Sequence, residues 1–196
     1  MFWFSSTEVK HVLIGVLLVS SVGLSLQRGL QMIGINNVTS LVFAVALFTL
    51  GFILHELAHK FTAQSYGLWA EFRLSMLGVV ITAVSILSPI KFIAPGMVLI
   101  AGMATKDVFG RIASAGPITN LILAFLSLVF SLIMPTGGSR LVLEVGCWVN
   151  TYMALFNLIP FGDFDGLKIF RWSKVAWALI VAPAVALLLY VNIFVL

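Results

Sequence analysis

Residues 38–60 read VTSLVFAVALFTLGFILHELAHK, an uncharged apolar run that passes directly into a short polar cluster. The run from Val38 to Leu54 is apolar on every side of a helix, as expected for a helix surrounded by lipid. Asn36 and Asn37 precede the run and mark its start. This stretch predicts a membrane-embedded helix that ends in two histidines and a glutamate.

The composition extends this prediction to the whole chain. Of 196 residues, 61% are hydrophobic and 9% are charged, and the mean hydropathy is +1.15. Soluble domains are about 45–50% apolar and about 25% charged, so lipid must cover much of this protein. We expect an all-α polytopic membrane protein in which residues 1–196 form one transmembrane domain with its core at about 38–170.

Charge and cysteine content exclude other classes of protein. The net charge of +4 comes from basic residues between apolar runs, where they anchor loops to anionic lipid. Nucleic acid is therefore not an expected partner, whereas the lipid bilayer is. Cys147 lies in an apolar run and is expected to pack as a small hydrophobe, without a redox role.

Charge-poor stretches predict about five to six transmembrane helices. The first could be a signal peptide, but no clear cleavage site follows it, so we count it as a span. The region at about 70–105 is rich in Val and Ile and is interrupted by Pro89, Lys91 and Pro95. We expect membrane-associated strands or a re-entrant hairpin there, which membranes tolerate only where protein covers the backbone. The charge-poor stretches are 12–26, 38–54, 74–90, 92–105, 112–134, 141–159 and 175–196.

The cluster His55-Glu56-Leu57-Ala58-His59 is an H-E-x-x-H motif on the apolar helix. Residues four apart on a helix lie about 40° from each other, so both imidazoles can reach one metal ion. Zinc suits such ligands, and Glu56 lies at the flank, where it can act as a general base on water. We therefore predict a zinc site with His55 and His59 as ligands and Glu56 as a catalytic residue.

A third ligand must come from one of the few remaining acids. Glu8, Glu71 and Asp107 are expected in loops, and Glu144 lies near the far end of its span. The segment from Asn157 to Gly166 contains two further acids, and position alone leaves Asp163 and Asp165 both open.

This segment resembles a signature of the site-2 protease family of intramembrane metalloproteases, N-x-x-P-x-x-x-x-D-G. The matching residues are Asn157, Pro160, Asp165 and Gly166, and the family's G-P-x-x-N matches residues 116–120. The resemblance implies that Asp165 is the third ligand of a single Zn²⁺ and that Asn157 helps to hold the substrate carbonyl. Asn120 is expected to stabilise helix contacts, and Gly116-Pro117 to shape a helix start.

The basic residues provide an independent test of topology. If 74–90 were a full span, the histidines and Asp165 would face opposite sides, and the basic residues would divide 7 to 4. If about 74–104 enters and returns to the same side, they divide 9 to 2, which obeys the positive-inside rule better. The nine are Lys10, Lys60, Arg73, Lys91, Lys106, Arg111, Lys168, Arg171 and Lys174, and the two are Arg28 and Arg140.

The expected function is that of a zinc endopeptidase which cuts transmembrane segments of membrane-protein substrates. Asp163 and Lys60 are expected to line the water entry, and a strand edge near Val98 and Ile100 to hold an extended substrate. We expect a multi-pass protein of a prokaryotic plasma membrane, with its active site near the cytoplasmic face and no room for a PDZ or CBS domain. The alternatives are a zinc transporter and a catalytically inactive scaffold.

Overall fold

A computed structural model describes residues 4–88 and 91–194. The elements are α1 (Ser6–Ser25), α2 (Gln27–Met32), α3 (Val38–Ser65), β1 (Trp69–Leu74), α4 (Met76–Leu87), β2 (Gly96–Ala101), α5 (Lys106–Ile133), α6 (Gly138–Asn157), α7 (Asp165–Trp172) and α8 (Lys174–Phe194). Pro89 and Ile90, part of the predicted interruption, lie outside the described residues.

Four helices in the described part of the chain, α1, α3, α5 and α8, are long and apolar enough to cross a membrane. Helix α6 has 20 residues but carries polar side chains such as Arg140 and Glu144. It follows α5 through a short connection and leads back to the end of the molecule where α5 begins. The prediction of an all-α polytopic membrane protein is confirmed, with α6 as its more polar, interior helix.

The region at about 70–105 contains two short strands and a helix. Strands β1 and β2 pair antiparallel, with Leu74 opposite Gly96 and Trp69 opposite Ala101. Between them α4 has only 12 residues, too few for the about 20 that a span requires. Because the paired strands bring Leu74 and Gly96 together, the segment returns to the side from which it starts.

Helix α3 ends where the sequence changes from apolar to polar and glycine follows. The N–H of Leu68 donates to Ala63 O, and the N–H of Gly67 donates to Gln64 O, which together form a Schellman motif. Gly67 adopts a φ of 75°, the left-handed conformation that this motif requires. The motif turns the chain directly from the histidine helix into β1.

Helix α5 differs from its prediction in one respect. The expectation that Gly116-Pro117 forms a helix start is wrong, because both residues lie inside the continuous helix Lys106–Ile133. The helix begins instead at Thr105, whose hydroxyl accepts the N–H of Val108 at 3.3 Å. The histidines of α3 therefore lie beside the middle of α5 and not beside its start.

The core lies where α1, α3, α6 and the sheet meet. Phe52 of α3 and Phe72 of β1 are buried and pack edge to face, with ring centroids 5.9 Å apart. Val19 and Val22 of α1 and Val149 of α6 belong to the same apolar cluster. This packing fixes the histidine helix against the sheet and against α6.

Candidate metal centre

Three side chains converge in the C-terminal half of α3, on the side that the basic residues predict to be cytoplasmic. His59 Nε2 lies 2.9 Å from Asp165 Oδ2, and His55 Nε2 lies 3.4 Å from the same oxygen. The two Nε2 atoms are 3.1 Å apart, and all three side chains are buried. Among the described residues these three form the group of His, Cys, Asp or Glu that could hold a metal ion.

The donor set fits zinc. Tetrahedral zinc with bonds of about 2.0–2.1 Å separates its ligand atoms by about 3.3–3.4 Å, close to the three distances found here. Metal-binding histidines generally use their other ring nitrogen to bond a protein oxygen. His59 Nδ1 lies 2.8 Å from Ile112 O, and His55 Nδ1 lies 2.5 Å from Asn120 Oδ1. Both Nε2 atoms are thereby left to face the metal position.

Helical spacing and one glycine place the two histidines. The i, i+4 spacing on α3 brings both rings to one face, and the chain of α5 crosses that face at Gly116. A Cβ atom at Gly116 would lie 2.6 Å from His55 Nε2 and would also contact His59 Nε2. Glycine is therefore required where α5 passes the Nε2 atoms of the two histidines.

Asp165 is placed by a tight return of the chain after α6. It is the first residue of α7, and the next residue, Gly166, packs against the backbone at the end of α6. A Cβ at Gly166 would contact Leu158 O and would lie 2.6 Å from Ile159 O. The small residue lets the first turn of α7 lie against the chain that leaves α6, which brings the carboxylate to the histidines.

Charge at the site favours an ionised Asp165. Its Oδ1 accepts a hydrogen bond from Lys168 Nζ at 3.1 Å, while Oδ2 faces the histidines. Burial by itself would raise the pKa of the Asp165 carboxyl, but the imidazoles of His59 and His55 and the Lys168 ammonium hold that pKa well below its usual range. The carboxylate is thus present in the charged form that a metal ligand needs.

A cavity of about 510 Å³ opens onto the three ligands. Glu56 lines it on the α3 side, and Asn157, Asp163 and Lys168 line it at the ends of α6 and α7. Asp163 is exposed and stands outside the ligand cluster, whereas Asp165 is in it. Asn157 Nδ2 donates to Met153 O at 3.0 Å within its own helix, so its predicted contact with a substrate carbonyl stays a prediction.

The expectations for four charged residues are wrong. Lys60 does not line a water entry, because it is 1% exposed and pairs with Glu8 on the opposite side of α3 from the cavity's ligands. Glu8 is not in a loop but lies buried in the first turn of α1. Glu71 lies in β1 and pairs with Arg73, and Asp107 lies in the first turn of α5.

The second strand presents an open edge to the cavity. The N–H of Ser75 donates to Pro95 O, and ladder bonds in antiparallel pairs fall on alternate residues. The same alternation directs the N–H of Phe72 away from β2, where it donates to Glu8. By register, the backbone groups of Val98 and Ile100 point to the unpaired edge of β2, and both residues line the cavity.

Comparison with known proteins agrees with this geometry. No protein-family model matches the chain. It is 33% identical over 195 residues to "Putative zinc metalloprotease MJ0611" of Methanocaldococcus jannaschii, an alignment that covers 97% of each chain. The chain belongs to this zinc metalloprotease family. "Putative zinc metalloprotease YwhC" of Bacillus subtilis is 26% identical over 154 residues, which cover 65% of this chain and 67% of that protein. No solved structure matches the chain.

The structure adds residues around the candidate metal site that sequence patterns missed. Lys168 bonds the ligand carboxylate, and the backbone oxygen of Ile112 bonds the ligand His59. Asn120 was expected only to join helices, but it also contacts the ring of His55. Lys168 follows Asp165 by three residues, a spacing that could have predicted their contact on a helix. A bond to a backbone carbonyl cannot be predicted from residue types.

Proposed function

We propose that this protein is an intramembrane zinc endopeptidase of the site-2 protease type, which hydrolyses peptide bonds in transmembrane segments of membrane-protein substrates. One observation carries the proposal. The ligand cluster of His55, His59 and Asp165 opens, together with Glu56, into a cavity at one end of an apolar helix long enough to cross a membrane.

Different residues would bind the metal ion and transfer the proton. His55, His59 and Asp165 would hold one zinc ion, with Asp165 fixed by Lys168. Zinc bound there supplies Lewis-acid polarisation of the scissile carbonyl and makes water more acidic. Glu56 takes a proton from the attacking water and delivers it to the amide nitrogen as the C–N bond breaks.

The open edge of β2 supports a mode of substrate binding. A transmembrane helix shields its amide carbonyls by internal hydrogen bonds, so the cleaved segment must first become extended. An extended peptide can add to a free strand edge through main-chain hydrogen bonds. Val98 and Ile100 offer such groups beside the cavity, at the same level as the metal ligands.

The distribution of basic residues supports a location for the active site. The nine basic residues on the side of the ligand cluster favour the cytoplasm for that side, with two on the other. The organisms of both relatives are prokaryotes, which supports a prokaryotic plasma membrane. Substrates in this arrangement are membrane proteins whose spans reach the cavity near the cytoplasmic face.

Cleavage of a single-span model substrate in detergent tests the proposal. Wild type should release product, lose activity with a zinc chelator and regain it when zinc is added back. Glu56→Gln should retain zinc but cleave about 10²–10⁴-fold more slowly, because general base catalysis contributes about that much. Glu144→Gln serves as the control, since Glu144 pairs with Arg140 near the other end of α6.

Two results would overturn the proposal. If wild type binds zinc yet cleaves none of several substrates, the scaffold alternative is favoured. If it also moves zinc into sealed liposomes, the transporter alternative is favoured. Equal cleavage by wild type and Glu56→Gln would remove the assigned role of Glu56.

A further inference from the structure

Two buried asparagines form a chain of side-chain amides behind the metal centre. Asn120 of α5 is fully buried and Asn150 of α6 is 2% exposed. Asn120 Nδ2 donates to Gly51 O at 3.1 Å and to Asn150 Oδ1 at 3.0 Å. Asn150 Nδ2 donates to Gly146 O at 2.9 Å. The chain thus links α3, α5 and α6 and ends at the ring of His55.

The backbone carbonyls at its ends determine the direction of every bond in this chain. A carbonyl oxygen only accepts, so Gly146 O requires the Nδ2 of Asn150 and turns Asn150 Oδ1 toward Asn120. Asn120 then faces two acceptors, Gly51 O and Asn150 Oδ1, and must present its own Nδ2 to them. The Oδ1 of Asn120 is left to accept from His55. A flip of either amide would place a donor against a donor or an acceptor against an acceptor.

The tautomer of His55 follows from this polarity. Because Asn120 Oδ1 is an acceptor at 2.5 Å, His55 must donate its hydrogen from Nδ1. The lone pair of neutral imidazole is then on Nε2, the atom that faces His59 and Asp165. His59 reaches the same state through a backbone carbonyl, so His55 is the ligand whose tautomer depends on side chains.

We propose that Asn120 and Asn150 are positioning residues that act in series: Asn150 orients the amide of Asn120, and Asn120 fixes the metal-binding tautomer of His55. The inference rests on the metal site of the proposed function and adds to it two residues outside the ligand set. Gly51 is part of the same arrangement, because a Cβ at Gly51 would contact Asn150 Oδ1. The close approach of α6 to α3 at Gly51 is what lets the two amides meet.

Metal affinity, measured without any substrate, tests the inference. Zinc-free protein in detergent is titrated with zinc against a chromophoric chelator. Asn120→Leu removes the acceptor at similar size, and its affinity should fall about 10- to 100-fold, the usual effect of losing such a partner. Asn120→Asp keeps an oxygen for His55 Nδ1, and its second oxygen can donate to Gly51 O or Asn150 Oδ1 only when protonated, so this variant should bind zinc less tightly than wild type but more tightly than Asn120→Leu.

Asn150 provides the test of action in series. Asn150→Leu should weaken zinc binding less than Asn120→Leu does. In the double variant Asn150→Leu should have no additional effect, since it acts only through Asn120. Asn192→Leu is the control, because exposed Asn192 donates to Leu188 O of its own helix. Unfolding curves of the metal-free forms show which variants fold. If Asn120→Leu does not fold, the zinc affinity of Asn120→Asp decides the test.

Several outcomes would overturn the inference. Wild-type affinity in Asn120→Leu, an equally large loss in Asn120→Asp, or additive losses in the double variant each contradict it. The proposed function fails separately: a wild type that binds zinc but cleaves nothing contradicts that function and leaves the two asparagines assigned. If wild type cleaves substrate but Asn120→Leu binds zinc as tightly as wild type does, the proposed function stands and the role of the two asparagines is contradicted.

Discussion

The ammonium group of Lys60 lies 2.5 Å from the carboxylate of Glu8, and both side chains are buried. The other carboxylate oxygen of Glu8 accepts the N–H of Phe72 at 2.9 Å. Lys60 directly follows the ligand His59 in α3. This ion pair therefore joins the first helix and the sheet to the histidine helix at the level of the metal centre.

Removal of one partner of this pair should destabilise the protein strongly. Lys60→Met leaves a buried carboxylate without its cation, which costs about 3–5 kcal/mol. The double variant Glu8→Gln/Lys60→Met should recover most of that loss, because Gln still accepts the N–H of Phe72 and no charge is buried. Denaturant unfolding in detergent measures both effects. Lys10→Met, on the same helix as Glu8, is the control, and unchanged stability in Lys60→Met would contradict the prediction.

The two aspartates of the 163–165 segment should differ in their effect on metal content. Asp165→Asn removes the charged oxygen beside both histidines, so zinc per chain should fall well below one at concentrations that saturate wild type. Asp163→Asn should leave zinc content unchanged, because Asp163 is exposed and outside the cluster. Metal analysis after gel filtration distinguishes them. The opposite order would assign the third ligand to Asp163.

Gly116→Ala should separate folding from metal binding. Alanine is the better helix former by about 0.8–1 kcal/mol, so the metal-free protein should remain folded. The new methyl group would contact the Nε2 atoms of both histidines, and zinc affinity should drop. Chelator competition measures the affinity, with Gly29→Ala as the control because nothing lies within 4 Å of a Cβ there. Undiminished affinity would show that the rings can move aside.

Proline substitutions on β2 test substrate binding at the open edge. Val98→Pro removes an N–H that points away from β1, so kcat/KM should fall about 3- to 10-fold, as one hydrogen bond contributes about 0.5–1.5 kcal/mol. Zinc content should be unchanged. Val98→Ala controls for the loss of the side chain, and Leu99→Pro, which breaks a ladder bond to β1, should disturb the sheet itself. Unimpaired cleavage by Val98→Pro would count against strand addition.

The histidine helix was predictable because all of its signals are local. An apolar run long enough to span a membrane and two histidines four residues apart depend only on the geometry of one helix. The return of the 70–105 region to one side was predictable from the positions of basic residues. Spacing does not predict the third ligand, and only the family signature favours Asp165 over Asp163.

Partners distant in the sequence escaped prediction. Glu8 and Lys60 are 52 residues apart, and side chains of both types usually lie at the solvent-exposed surface. Nothing in the sequence around Asn150 indicates a role beyond helix packing, yet its side chain bonds Asn120 of the neighbouring helix. Pro117 normally marks a helix start, but here the packing of α5 against its neighbours keeps the helix continuous around it.

The amino-acid sequence by itself determined that the chain is embedded in a membrane and that one helix carries two histidines and a glutamate on one side. Both follow from composition and from the period of a helix, which act over a few turns of chain. Only the tertiary structure decided which carboxylate reaches the histidines, which side chains orient them and which strand edge stays open. Those outcomes depend on close approaches at Gly51, Gly116 and Gly166, and on ion pairs and amide contacts that form only after separate helices pack together.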